Sequence, residues 1–143
     1  MIKVLKGRER RALEQRLKVQ YGAKIPENLE VVLQSKKEFR LTTREALQVD
    51  IESLNPQGVG LKIAKETKHG IMLSIEGAQL LKPEAKIVNL SLDQAYSWVR
   101  GGNLDIKAPE GYVILKYDGY YLGCGLSRGE HIKNLYPKHR RIV

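Results

Sequence analysis

The chain has 143 residues, 42% hydrophobic and 29% charged, which fits one domain of ordinary size or two small ones with a globular balance. Its longest apolar runs, such as Ile71-Met72-Leu73, fall far short of the roughly 18 to 20 residues that span a bilayer, and Gly7-Arg8-Glu9-Arg10-Arg11 offers no secretion-signal core, so the reading is a soluble, cytoplasmic protein. The formal charge of +9 sits at the two ends: residues 1–20 hold seven bases against two acids, residues 128–143 hold five against Glu130, and the middle is nearly neutral.

In chain order, residues 5–21 read as a helix whose apolar stripe is Leu13, Leu17 and Tyr21, closed by Gly22. Arg8, Arg11, Gln15 and Lys18 make a separate, largely basic stripe on it. A second short helix is expected from Pro26, burying Leu29 and Val32 or Leu33. Glu38 to Leu41 reads as a strand. Thr42-Thr43-Arg44-Glu45 has the form of a capping box for a third helix with Ala46 and Leu47 inward. Asn55-Pro56-Gln57-Gly58 is a turn signal.

The period then changes. Val59, Leu61 and Ile63 alternate with Gly60, Lys62 and Ala64 as in a half-buried strand. A polar connection over residues 65–70 leads to a strand from Ile71 to Ile75, and a division into residues 1–69 and 70–143 is expected here. Ser91-Leu92-Asp93-Gln94 is a capping box for a helix running to Arg100 and ended by Gly101-Gly102. Tyr112–Tyr117 and Tyr120–Leu126 are β-rich runs joined by Asp118-Gly119, a pair that favours a two-residue primed hairpin turn. A third run, Glu130 to Tyr136, ends at Pro137. Together these elements give an α+β chain, a small α/β N-terminal domain followed by a mixed β-barrel, closed or nearly so.

The search for chemistry finds no catalytic constellation. His69, His131 and His139 lack acidic partners at a useful spacing, and no metal site or cofactor is expected. Cys124 is the only cysteine, which excludes an internal disulfide. It reads as a small packed side chain on the strand face of Tyr120 and Leu122. Gly123-Cys124-Gly125 and Gly58-Val59-Gly60 are followed by no helix and so fail as phosphate loops. What remains is a surface of Lys, Arg and Tyr concentrated in the last 28 residues, among them Lys116, Lys133, Tyr136, Lys138, His139, Arg140 and Arg141. RNA is commonly gripped by such a mixture, with aromatic rings stacking bases and cations neutralising phosphates. Tyr112 and Tyr136 serve equally well as core residues with a wet hydroxyl, and a basic segment can also be a merely solvated surface. Trp98, spaced with Gln94 and Ala95, reads as core.

The run Gly111-Tyr112-Val113-Ile114-Leu115-Lys116-Tyr117-Asp118-Gly119-Tyr120-Tyr121-Leu122-Gly123-Cys124-Gly125, followed by Ile132-Lys133-Asn134-Leu135-Tyr136-Pro137-Lys138-His139-Arg140-Arg141, resembles the PUA-like RNA-binding domain of NOL/NOP/Sun-type RNA 5-methylcytosine methyltransferases. Upstream, Ala95-Tyr96-Ser97-Trp98-Val99-Arg100-Gly101 resembles that family's helix ending in an Arg-Gly step. Residues 60–75 are also similar to the join between the α/β domain and the PUA domain of a large-subunit ribosome-assembly factor. Two features depart from the methyltransferases: the sequence holds no cofactor-binding glycine loop or Pro-Cys motif, and Cys124 stands where a larger aromatic is often found.

The resemblance implies a non-catalytic, stand-alone RNA-binding protein, monomeric, acting in ribosome biogenesis or RNA modification. Structured ribosomal RNA or its precursor is the first expected partner and transfer RNA the second. Lys133, Lys138, Arg140 and Arg141 are expected to grip the backbone, with Lys116, Asn134 and His139 alongside and Tyr136 or an exposed hairpin tyrosine stacking a base. Arg100, Lys62 and Lys65 would extend the track. The alternative is a protein-interaction subunit that docks on a separate methyltransferase or on ribosome-assembly proteins; anionic membrane fits poorly because neither basic segment has a bulky apolar face.

Overall fold

The chain starts with a strand. In the computed structural model, which describes residues 2–47 and 60–142, Ile2–Leu5 forms β1 and the helix α1 begins only at Gly7, running to Tyr21. Leu13, Leu17 and Tyr21 are its buried residues, and Gly22 closes it in the left-handed conformation, its N–H bonded to the Lys18 carbonyl. Arg8, Arg11, Gln15 and Lys18 are all exposed.

The helix expected from Pro26 is a strand, β2 (Leu29–Gln34). It pairs antiparallel with β1 on one side, Val4 opposite Val32, and with β3 (Glu38–Thr43) on the other. Val31 and Val32 are both fully buried, and two adjacent β-branched residues with neighbours on both edges favour the pleated form over a helix. Thr43 caps α2 (Arg44–Leu47), its Oγ1 accepting from the Ala46 N–H at 3.2 Å. Thr42 belongs to β3, and α2 has no buried face, so Ala46 and Leu47 are not core residues as expected. The turn at Asn55–Gly58 and the strand start at Val59 lie outside the described residues.

β4 (Leu61–Thr67) and β5 (Gly70–Leu73) complete an antiparallel sheet in the order β1-β2-β3-β4-β5. The alternation expected of β4 breaks at a bulge: Phe39 pairs with Ala64 but Arg40 with Lys62, leaving Ile63 as the extra residue. Ile63 and Ala64 are therefore both buried, and Leu61 is turned to solvent. Residues 65–67, expected as a connection, are part of β4. A division at 69/70 falls in the turn of the β4–β5 hairpin, two paired strands of one sheet. Residues from Ile75 are helical rather than extended. Ser74 Oγ accepts from the Gly77 N–H at 2.9 Å and opens α3 (Ile75–Leu81), after which the chain changes sheet.

The second sheet runs β6-β7-β8-β9 and curls as a half-barrel, with β6 (Ile87–Asn89) parallel to β7 (Gly111–Tyr117) and the rest antiparallel. α4 (Leu92–Val99) opens with the capping box read from the sequence, Ser91 and Gln94 each bonding the other's backbone. Asp118 and Gly119, at φ 46° and 81°, form the two-residue turn between β7 and β8 (Tyr120–Ser127). A second bulge sits in β8: Ile114 pairs with Cys124 but Lys116 with Tyr121. The extra residue moves Cys124 off the face of Leu122, correcting the alternation expected from Tyr120 onward. The expected strand from Glu130 to Tyr136 shrinks to β9 (Ile132–Lys133), because the backbone beyond it bonds to side chains instead.

β7 is covered on both faces. Tyr112 and Ile114 pack with Cys124 and Leu126 into the core built on α1 and the first sheet, alongside Leu17, Tyr21, Ile63 and Ile71. Val113 and Leu115 point the other way, onto Trp98, Leu104 and Ile132. Tyr112 is thus a core residue, its hydroxyl 2.7 Å from Thr67 Oγ1. Among the described residues no helix is long and apolar enough to cross a membrane.

Candidate nucleic-acid interface

The C-terminal segment is shaped by Asn134. Its Nδ2 donates to the carbonyls of Trp98 and Gly102, each at 2.8 Å, and its Oδ1 accepts from the Tyr136 N–H at 2.8 Å. Its own N–H donates to Asn103 Oδ1, also at 2.8 Å. The side chain is buried and occupied by these bonds. Asn134 is therefore a clasp for the loop after β9, its side chain engaged within the chain. Trp98 anchors the other side, fully buried, with Nε1 donating to the Leu122 carbonyl at 3.1 Å.

The clasp lays Leu135, Tyr136 and Pro137 along one wall of a cleft of about 290 Å³. The β8 bulge (Leu122, Gly123, Cys124) forms the second wall, and the third comes from β5 and the first turn of α3 (Met72, Leu73, Ser74, Ile75, Glu76). Lys62, His139 and Arg140 are the basic residues among its lining. The cleft lies where the two sheets meet, with largely apolar walls and a charged rim.

Two of those cations are partnered. Arg140 makes a fork to Glu76, Nη2 to Oε1 at 2.5 Å and Nη1 to Oε2 at 3.2 Å, which straps the last turn (Lys138–Arg140) across to α3. Lys62 Nζ lies 3.4 Å from Glu38 Oε1, and Arg40 Nε donates to the same carboxylate at 2.6 Å. Burial alone would raise the Glu38 carboxyl, but Arg40 and Lys62 together hold it below its usual value.

Of the expected contact residues, the structure brings Lys62, Tyr136, His139 and Arg140 together in this cleft, with Lys138 exposed on the same turn. Arg100 and Arg141 lie instead at the end of α4, Arg100 as its C-cap and Arg141 with its guanidinium against Gly101. Lys65 on β4, Lys133 on β9 and Lys116 on β7 are not part of the cleft lining; the Lys116 ammonium sits 4.6 Å from the centre of the Tyr121 ring. Sequence reasoning missed Glu76 and Ile75, because the run from Ile71 read as one strand. Ser74 three residues before Gly77, with an acid in between, was the available sign of a helix start.

Cys124 packs as a small side chain. Burial pushes its thiol up to about 12, although hydrogen bonding with the Tyr21 hydroxyl, 3.9 Å away, acts in the opposite sense. Among the described residues no group of three or more His, Cys, Asp or Glu is gathered as a metal ion would need.

Residues 85–142 match a family model described as the methyltransferase RsmF PUA domain. The chain carries a PUA-like domain. It comprises β6 to β9, α4 and the C-terminal segment, and so includes Arg100 and every expected contact residue after it, whereas Lys62 and Lys65 precede it. The relatives found by sequence are ribosomal RNA small subunit methyltransferases F. That of Vibrio atlanticus is 34% identical over 98 residues, covering 66% of this chain and 21% of the relative. That of Shewanella sp. (strain W3-18-1) is 31% identical over 126 residues, 82% of this chain and 25% of the relative. The chain thus spans about a quarter or less of the length of these relatives. A conserved PUA domain protein from Thermoplasma acidophilum has the same fold across 99% of this chain and 98% of its own, with a TM-score of 0.64 at 13% identity. The fold likeness therefore extends through the first sheet as well as the PUA-like domain.

Proposed function

We propose that this chain binds structured RNA, with ribosomal RNA or its precursor first and transfer RNA second, as a monomer in the cytoplasm and without catalysing a reaction itself. The observation that carries this reading is the cleft at the seam of the two sheets, where apolar walls and Tyr136 meet Lys62 and His139 beside exposed Lys138, with Arg140 tied to Glu76 across the rim. Apolar walls accommodate an unstacked base and the rim neutralises phosphates, the division of labour that RNA recognition requires. The sequence relatives are ribosomal RNA methyltransferases, which favours ribosomal RNA among the candidates. We read the chain as two units, the α/β unit and the PUA-like domain, divided after Leu81 where the chain leaves the first sheet.

The test is binding of a structured RNA fragment across a salt series. Lys133 and Lys138 are exposed and have no carboxylate partner among the described residues. Replacing both with Ala is expected to make the log–log salt slope shallower by roughly 1.4 to 1.8, the loss of about two phosphate contacts. An unchanged slope, or no binding by the native chain at low salt, overturns the reading.

A further inference from the structure

The two neighbouring arginines of the C-terminal segment are not equivalent. Arg140 is spent on Glu76. Arg141 has no carboxylate partner among the described residues, and its Nε is buried without a hydrogen-bond partner. It is nevertheless held in place. The next residue, Ile142, donates its N–H to the Val99 carbonyl at 2.9 Å, and the guanidinium rests over Gly101. A Cβ on Gly101 would come within 2.8 Å of Arg141 Cζ and Nε, so the guanidinium occupies the space beside this glycine. A cation fixed in advance, with its charge unspent and its stem packed, loses less entropy on meeting an anion than a waving surface lysine does.

Arg100 is the residue before Gly101, at the C-cap of α4. It is exposed, has no carboxylate partner among the described residues, and lies 5.5 Å from the centre of the Tyr96 ring, one turn back on α4. Tyr96 is half-exposed although it is aromatic, and no hydrogen bond to its hydroxyl is found among the described residues. An exposed ring with the Arg100 guanidinium over it, and a second guanidinium without a carboxylate partner held against the adjoining Gly101, suits an unpaired nucleotide, base against ring and phosphate against cations.

We propose that Tyr96, Arg100 and Arg141 form a binding site for a single-stranded nucleotide at the C-terminal end of α4, apart from the cleft lining. The site rests on the RNA-binding reading and adds to it a preference for an unpaired segment next to structured RNA. Arg140 in this scheme is a strut.

The experiment uses the full chain, a hairpin RNA with a single-stranded extension of about 10 nucleotides, and the same hairpin without it. The native chain binds the extended RNA more tightly. Tyr96→Leu, which keeps apolar bulk but removes the ring, loses about tenfold on the extended RNA, the size of one stacking contact, while Tyr96→Phe binds as the native chain does. Arg100→Ala with Arg141→Ala flattens the salt slope on the extended RNA by about 1.4, two single-strand contacts. If the native chain binds neither RNA, the RNA-binding reading itself falls. If it binds both equally, or if Tyr96→Leu and the Arg100/Arg141 pair behave as native on the extended RNA, this site falls and the cleft reading stands.

Discussion

Gly77→Ala inverts the usual effect of such a change on a helix. In an open helix the substitution stabilises by about 0.5 to 1 kcal/mol, because alanine gives up less chain entropy. Here the added Cβ would lie 1.9 Å from the Ile63 carbonyl oxygen and 2.8 Å from the carbonyl carbon, both backbone atoms of the β4 bulge. Neither can rotate away. α3 must lift from the strand by more than 1 Å to restore contact distance, as a rough estimate from normal packing. That movement strains two bonds which dock the helix start, Ser74 N–H to the Ile63 carbonyl and Ser74 Oγ–H to the Lys62 carbonyl, both 2.9 Å. Overpacking of this kind costs about 1 to 3 kcal/mol and the two weakened bonds about 0.5 to 1.5 kcal/mol each. After the propensity gain the net is destabilisation of about 3 kcal/mol, or a Tm lower by about 10 °C for a chain of this size. Differential scanning calorimetry reads it directly. An unchanged or raised Tm would refute the close approach of α3 to β4, and with it the third wall of the cleft.

Asn134→Ala is expected to destabilise by about 2 to 4 kcal/mol in denaturant titrations, since it strands the Trp98 and Gly102 carbonyls and frees the Tyr136 N–H. Cys124, with its thiol pushed up to about 12 by burial, should react with a thiol reagent at pH 8 only as fast as the chain unfolds, so the rate should rise with denaturant. Glu66 is held below its ordinary carboxyl value by the fork from Arg16, at 2.5 and 2.8 Å. A depressed carboxyl contributes stability above its unfolded value and loses it as pH falls through the folded one. Glu66→Gln should therefore cost up to about 1 kcal/mol at pH 7, the value of a half-exposed pair, and almost nothing near pH 3.

Short-range signals carried the PUA-like half. The Ser91–Gln94 capping box, the Asp118-Gly119 turn and the strands on either side are set by residues within a few positions of one another, and the structure has each where the pattern puts it. The misreadings share a different cause. Pro26 signals a helix start locally, but pairing of Leu29–Gln34 with β1, distant in sequence, and with β3, the next strand, decides the outcome. Both bulges shift a strand's alternation by one residue, which is why Leu61 and Cys124 face other ways than the period suggested. At the interface, the charges were visible as a composition, but their partners were not. Glu76, 64 positions from Arg140, separates a spent arginine from Arg141, and that pairing exists only in three dimensions.

The seam at Tyr112, Ile114, Cys124 and Leu126 has a consequence for anyone who would work with fragments. These side chains find their apolar neighbours on α1 and the first sheet, so a piece cut to the PUA-like stretch alone would present them raw to water. Such a piece would tend to clump or soften, and the intact polypeptide should melt as one cooperative body. The groove between the halves is then less a hinge than a fixed notch, its width set by a shared interior.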